Sequence, residues 1–339
     1  MAGIPYEIGD DSDYLFTCAE LKSKEVEFVA QGRIERMLSA AHTGEFLKVL
    51  GETVYAPGTG SIEAEKSFEQ MMVSGYRDII DYLEERLKQE HKALVYILFF
   101  EEFLHNLKLI MKSVILEKEL EELYIPLKYE YSHLMEAYRT GKYEDIGGPL
   151  PQVMEHIKSL VDAPGKKDTR DKELDVEAFY TEKLLHAADS LGRRMISDYI
   201  RYKIDLINIE NIYRKLHLGR EGSFAGLLHK GGALELKVLT DLENESMDYI
   251  VKELEKTDYA DVIIRGAQRL SSDRSFSSFE RNRDLYFLDY FDSIKYSVSN
   301  LEKIFHFFLR KKIELTNLNI LYTGIRFNAD KSNLRCKVD

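Results

Sequence analysis

Ile313-Glu314-Leu315-Thr316-Asn317-Leu318-Asn319-Ile320-Leu321-Tyr322-Thr323-Gly324 is the stretch whose reading decides the fold. It predicts the last turns of a helix, with Gly324 as the stop. Two earlier stretches resemble it. Asp205-Leu206-Ile207-Asn208-Ile209-Glu210-Asn211-Ile212-Tyr213 is a close copy, and Phe103-Leu104-His105-Asn106-Leu107-Lys108-Leu109-Ile110-Met111 a weaker one. Each sets Asn before Leu or Ile, with apolar residues a helical turn further on. Asn106, Asn208 and Asn317 lie about 102 and 109 residues apart, the period of a repeat of long units. A second marker precedes the first and third copies: Leu50-Gly51-Glu52-Thr53-Val54-Tyr55 resembles Leu254-Glu255-Lys256-Thr257-Asp258-Tyr259. Thr140-Gly141-Lys142-Tyr143 stands between them in the middle unit. Two markers in one order point to three diverged copies of one helical unit.

Composition agrees with helix. Pro is scarce, with 6 in 339 residues, while Leu, Glu and Lys are abundant. A length of 339 residues exceeds the usual size of one core, and 44% hydrophobic content can fill two or three. No sustained period-two alternation appears, so the expected class is all-α. The net charge of −12 repels phosphate backbones and anionic headgroups, which argues against nucleic acid as a partner. Two cysteines, Cys18 and Cys336, stand at opposite ends and form no disulfide framework, as expected of a reducing cytosol. Met1 to Asp13 is acidic and lacks the pattern of a signal peptide. The longest apolar run, Ala93 to Phe100, falls far short of the ~20 residues that span a bilayer.

Along the chain, helical spacing predicts helices over 14–41, 45–50 and 61–89, with Ser61 as a cap. A helix over 96–116 is apolar around most of its circumference, hence buried on several sides. Pro126 breaks the pattern and 127–138 resumes it. Helical spacing covers 175–216, 234–254 and 285–322. Pro164-Gly165-Lys166-Lys167-Asp168, Ser271-Ser272-Asp273-Arg274-Ser275 and the Gly-rich 217–232 are expected loops. The tail 326–339 is mixed and polar, and partial disorder is expected there.

Candidate chemistry is thin. Glu102-x-x-His105 and Glu130-x-x-His133 have the spacing of carboxylate di-metal bundles, with both side chains on one helix face. A metal-dependent bundle enzyme would need partner glutamates that cannot be picked out, and Pro126 separates the two motifs. Gly231-Gly232 could offer N–H groups to an anion, but no phosphate-loop pattern surrounds it, and a helix-starting turn is the better reading. No Ser-His-Asp or Cys-His set is suggested. Tyr286-Phe287-Leu288-Asp289-Tyr290-Phe291 reads as core, with a partner-facing strip as the alternative. Arg310-Lys311-Lys312 reads as a solvated helix face. The repeated Asn reads as a helix-contact residue that ties a neighbouring backbone or side chain. The expected site list is empty: no catalytic, cofactor-binding or metal residue.

Glu314-x-x-Asn317-Leu318 with Tyr322-x-Gly324 resembles the C-terminal signature of the C subunit of V-type and A-type rotary ATPases, known as the d subunit in eukaryotes. Phe46-x-x-x-Leu50-x-x-Thr53-x-Tyr55, Leu104-His105-Asn106-Leu107, Asp205-x-x-Asn208-Ile209 and Leu228 through Gly232 resemble further family markers, in family order. Two departures stand out. Glu20 and Lys22 occupy positions where the family has arginines, and Phe103 replaces an acid.

The resemblance implies three helical-bundle repeats, 1–118, 119–219 and 220–339 with its polar tail, forming a funnel with pseudo-threefold symmetry. It implies a non-catalytic, peripheral central-stalk subunit on the cytoplasmic side of the membrane. The funnel would join the central shaft to the proteolipid ring and transmit torque for ATP-coupled H+ or Na+ transport. Membrane contact would be indirect, with no cofactor and no homo-oligomer. A soluble helical scaffold of the same fold with other partners is the second reading.

Overall fold

A computed structural model describes residues 9–56, 64–163, 168–217, 226, 228–242, 245–273 and 276–338. Among these residues there are sixteen α-helices and no strand, so the chain is all-α. In chain order they are α1 Leu15–Lys24, α2 Gln31–Ser39, α3 Thr43–Leu50, α4 Ala64–Arg86, α5 Leu94–Leu98, α6 Phe100–Ile115, α7 Tyr131–Thr140 and α8 Leu150–Asp162. Then follow α9 Thr169–Ser190, α10 Arg194–His217, α11 Leu236–Thr240, α12 Met247–Leu254, α13 Ala260–Asp273, α14 Ser277–Asp292, α15 Leu301–Arg326 and α16 Lys331–Val338.

Local chemistry sets several starts. His42 Nδ1 accepts the Glu45 N–H at 3.3 Å, and Glu45 Oε2 reaches back to the Ala41 N–H at 2.7 Å, capping α3 from both sides. Asp168 caps α9 by accepting the Asp171 N–H at 2.7 Å. Asn300 caps α15 through the Lys303 N–H at 2.8 Å. Helical periods that read as continuous in sequence are cut at three places. The period over 14–41 splits into α1 and α2, that over 175–216 splits at Leu191-Gly192-Arg193, and that over 285–322 splits ahead of Asn300. Ser61 and the loop 164–167 lie outside the described residues, as do Arg274 and Ser275, while Asp273 ends α13.

The chain forms two compact units. Unit 1 is Met1–Ile79 with Leu254–Asp339, and unit 2 is Ile80–Glu253. In unit 1 the 26-residue α15 packs against α1, α2, α3, α14 and α16. Leu315, Leu318 and Leu321 are fully buried along it, each such side chain contributing about 1.5–3 kcal/mol. Tyr322 stacks on Phe68 with ring centroids 3.9 Å apart, and Phe46 closes the cluster at 5.6 Å from Tyr322.

Two expectations for this region are corrected. Gly324 does not stop the helix, because α15 continues to Arg326. A Cβ on Gly324 would stand 2.2 Å from Leu334 Cδ2, so this glycine lets α16 approach. Nor is the tail loose: 331–338 is the helix α16, packed on α2, α14 and α15, with Leu334 and Val338 buried. Its few apolar residues suffice because they fall on one face.

In unit 2, α9 packs against α5, α6, α8 and α10. The run that is longest and most apolar in sequence supplies the centre: Leu94 through Phe100 are all buried. Phe100 stacks on Tyr180 at 5.6 Å. A polar cluster lies within this unit. Glu177 of α9 pairs with Lys108 of α6, and His229 Nε2 stands 3.0 Å from Glu177 Oε1. Burial raises the Glu177 pKa, but the His229 and Lys108 contacts outweigh it and hold the carboxyl at about 2.

Candidate functional site: backbone grips on the repeated helices

The repeated Asn has a defined task in two of its three copies. Asn106 of α6 donates from Nδ2 to the Ile125 carbonyl at 2.7 Å and accepts the Ile125 N–H on Oδ1 at 3.0 Å. Asn208 of α10 does the same to His229, donating to its carbonyl at 2.9 Å and accepting its N–H at 2.7 Å. A side-chain amide presents a donor and an acceptor side by side, and an extended residue offers the matching pair. Pro126 favours that extended shape at Ile125, since the residue before proline is pushed out of the helical region. Both Asn side chains are buried, so the polar atoms of helix and loop must satisfy each other.

The acid three residues earlier performs a second grip in the copies that keep it. Asp205 accepts the Ala233 N–H at 2.9 Å and the Leu234 N–H at 3.1 Å. Glu314 accepts the Val29 N–H at 2.6 Å and the Tyr55 hydroxyl at 2.6 Å. Leu234 lies two residues before α11, and Val29 two residues before α2, so the two acids hold equivalent points of entry into a helix. In the first copy Phe103 replaces the acid and its ring packs on Tyr96 at 5.0 Å. In the third, Asn317 is half-buried and its amide has no partner among the described residues. The first copy thus uses the Asn, the third the acid, and the second both.

Gly231-Gly232 belongs to this arrangement. Gly231 has φ +95°, and a Cβ on Gly232 would stand 1.9 Å from Asp205 Oδ1. The N–H groups that meet an anion are those of Ala233 and Leu234, just after the glycines, and the anion is the chain's own Asp205. Sequence reading missed this pairing because the partners are 28 residues apart.

The second marker is also built alike in two places. Thr53 Oγ1 donates to the Leu50 carbonyl at 2.7 Å, and Thr257 Oγ1 to the Leu254 carbonyl at 2.7 Å. Tyr55 and Tyr259, two residues on from each Thr, are buried. Burial and the neighbouring Glu314 carboxylate raise the Tyr55 pKa far above its usual value, so the phenol remains a neutral donor.

The remaining candidates fall elsewhere. His105 Nε2 lies 2.9 Å from the Leu123 carbonyl, and His133 packs edge-on to Tyr129. No three His, Cys, Asp or Glu side chains gather into a metal set among the described residues. Cys18 is buried, its Sγ 3.5 Å from the Asn300 carbonyl. Phe287, Tyr290 and Phe291 of the aromatic stretch are core. The basic run 310–312 is not a solvated face. Lys312 is buried, Arg310 lies 4.3 Å above the Phe28 ring, and Lys311 lies 4.4 Å above Tyr55 and 3.4 Å from Glu314. Long aliphatic stems let these cations cover apolar surface, which a charge count does not show. Near the N-terminus, where the resemblance leads one to expect arginines at positions 20 and 22, Lys22 pairs with Glu25 at 2.5 Å, and Lys24 stands 3.7 Å from Glu20. No helix among the described residues is long and apolar enough to cross a membrane.

The sequence model of the ATP synthase (C/AC39) subunit family matches residues 17–336. The chain belongs to this family. The gripping residues Asn106, Asp205, Asn208 and Glu314 all lie inside the matched region. The chain is 22% identical over 320 residues to the C subunit of the V-type sodium ATPase of Enterococcus hirae, covering 93% of this chain and 94% of that protein. It is 25% identical over 232 residues to the C subunit of the A-type ATP synthase of Methanosphaera stadtmanae, covering 64% of this chain and 59% of that protein.

Proposed function

We propose that this chain is the C subunit of a V/A-type rotary ATPase, a non-catalytic rotor part joining the central shaft to the proteolipid ring. The observation that carries the proposal is the family match over residues 17–336, reinforced by C-subunit relatives of both V-type and A-type complexes. In this reading the protein is peripheral on the cytoplasmic side and meets the membrane only through the ring. It transmits torque for ATP-coupled H+ or Na+ movement and needs no nucleotide, metal or catalytic residue of its own.

Three repeats, 1–118, 119–219 and 220–339, are part of the proposal. The matched grips of Asp205 on Leu234 and Glu314 on Val29 support it, as do those of Asn106 on Ile125 and Asn208 on His229. A part under torque needs the entries to its helices held at fixed points, and buried side-chain-to-backbone bonds supply that.

The test is purification of the tagged chain from detergent-solubilised membranes of its own source, with partners identified by mass spectrometry. The expected result is recovery of the catalytic head subunits together with the proteolipid. A chain that stays in the soluble fraction and brings down neither would overturn the rotor reading and favour a scaffold with other partners.

A further inference from the structure

Helix α1 is apolar on two sides and buries only one of them. Thr17, Cys18 and Leu21 are buried. Leu15, Phe16 and Ala19 share the opposite side, a helical turn apart, and are exposed. The turn Glu25–Glu27 that follows α1 adds Val26, which is 88% exposed. A second segment lies alongside. The Asp11 N–H donates to the Ser299 carbonyl at 2.6 Å, and the Asp10 carboxylate accepts the N–H groups of Val298 at 2.7 Å and Ser299 at 3.1 Å. These bonds clamp the residues that lead into α1 against those that lead into α15. Tyr296 on this segment is 86% exposed, and Val298 is exposed beside it.

Single exposed apolar side chains are ordinary, but five large ones on two clamped segments of unit 1 form a patch that marks an interaction surface. Its charge is one-sided. Residues 9–30 carry six carboxylates and two lysines, and residues 292–298 carry one of each, which leaves a charge of −4. The surface is therefore an apolar stripe in an acidic setting.

We propose that this patch seats a helix of the central shaft, one whose apolar face is edged by Lys or Arg. The inference rests on the rotor reading above. An amphipathic helix lays an apolar stripe of matching shape along such a face. Its basic edges are drawn to the negative charge, which fixes the orientation of docking and excludes acidic partners. The same negative charge is repelled by the anionic headgroups that surround the ring, which favours the shaft over the membrane side as the place of this face.

The test is equilibrium binding of the full-length chain to the purified shaft subunits of its own complex and, in parallel, to the detergent-solubilised proteolipid ring. Val26→Asp and Tyr296→Asp alter exposed side chains, so both variants should keep the helical spectrum and melting temperature of the parent. Each is expected to weaken shaft binding about ten-fold or more and to leave ring binding unchanged. Added salt should weaken the parent's shaft complex as well, as it does any contact between exposed charges. Shaft binding indifferent to both substitutions, or ring binding lost in place of shaft binding, overturns the proposal and leaves the rotor reading standing. Self-association of the parent chain that both substitutions abolish overturns the proposal too, because the patch then seats a second copy. A parent chain that binds neither shaft nor ring overturns this proposal and the rotor reading together.

Discussion

Glu314 and Val29 are 285 residues apart in the chain, yet the Glu314 carboxylate accepts the Val29 N–H at 2.6 Å. Its other oxygen accepts the Tyr55 hydroxyl at 2.6 Å. One side chain of α15 therefore fixes both the entry to α2 and the segment that follows α3. Removing it strands two partly buried donors. Glu314→Ala is expected to cost about 2–4 kcal/mol in chemical unfolding, and Tyr55→Phe about 1–2 kcal/mol. The double variant should cost less than the sum, because both single changes remove the same bond. Strict additivity would show that the contact carries no stability.

The Asn copies differ in use and should differ in cost. Asn106→Ala and Asn208→Ala each remove two bonds to the backbone of one loop residue, and about 2–3 kcal/mol is expected for each. Asn317→Ala should stay within about 1 kcal/mol, since its amide grips nothing among the described residues. Hydrogen exchange supplies a local check: the Ile125 amide should lose protection in the first variant and the His229 amide in the second.

Two glycine-to-alanine changes are expected to have opposite signs. At Gly232 the new Cβ would meet Asp205 Oδ1 at 1.9 Å, and the carboxylate could yield only by releasing Ala233 and Leu234. A loss of about 2–4 kcal/mol is expected. Gly32 lies in α2 with nothing within 4 Å of an added methyl. Gly32→Ala should gain about 0.5–1 kcal/mol through helix propensity and a less free unfolded chain. Thermal melts of the two variants, moving in opposite directions, would check both.

His306 gives unit 1 an acid sensitivity. Burial and then the Arg310 charge lower its pKa to about 4, while Asp292 and Glu25 oppose the shift and Lys303 adds to it. Its ring stacks on Phe291 at 6.1 Å. Between about pH 6.5 and pH 4 the unfolded state binds a proton that the folded state does not, so stability rises with pH across that window. Acidification from pH 7 to pH 4 should cost about 2–3 kcal/mol through this group. His306→Gln should flatten the profile there. Below that window, protonation of Glu177, held at about 2, should add a second loss that Glu177→Gln removes.

The grips show where sequence reading stops. Helical class, the buried run 94–100 and the core role of the aromatic stretch follow from local spacing, because burial on a helix repeats with the backbone period. The repeated Asn was legible as a helix contact, but its partners were not. Ile125 and His229 are ordinary loop residues whose backbone is used, and backbone atoms carry no sequence signature. The same holds for Gly324, which has the residue type of a helix stop and the position of a close approach to Leu334.

By itself the sequence determined that the chain is helical, that two markers recur in order, and which family it resembles. These depend on side-chain type and spacing alone. Only the tertiary structure decided that Asp205 is the anion for the N–H groups just after Gly231-Gly232, that Glu314 holds the start of α2, and that Lys312 is buried rather than solvated. Each joins or covers residues through packing, and the free energy of a buried polar group depends on which partner reaches it, a fact fixed only when the chain has folded.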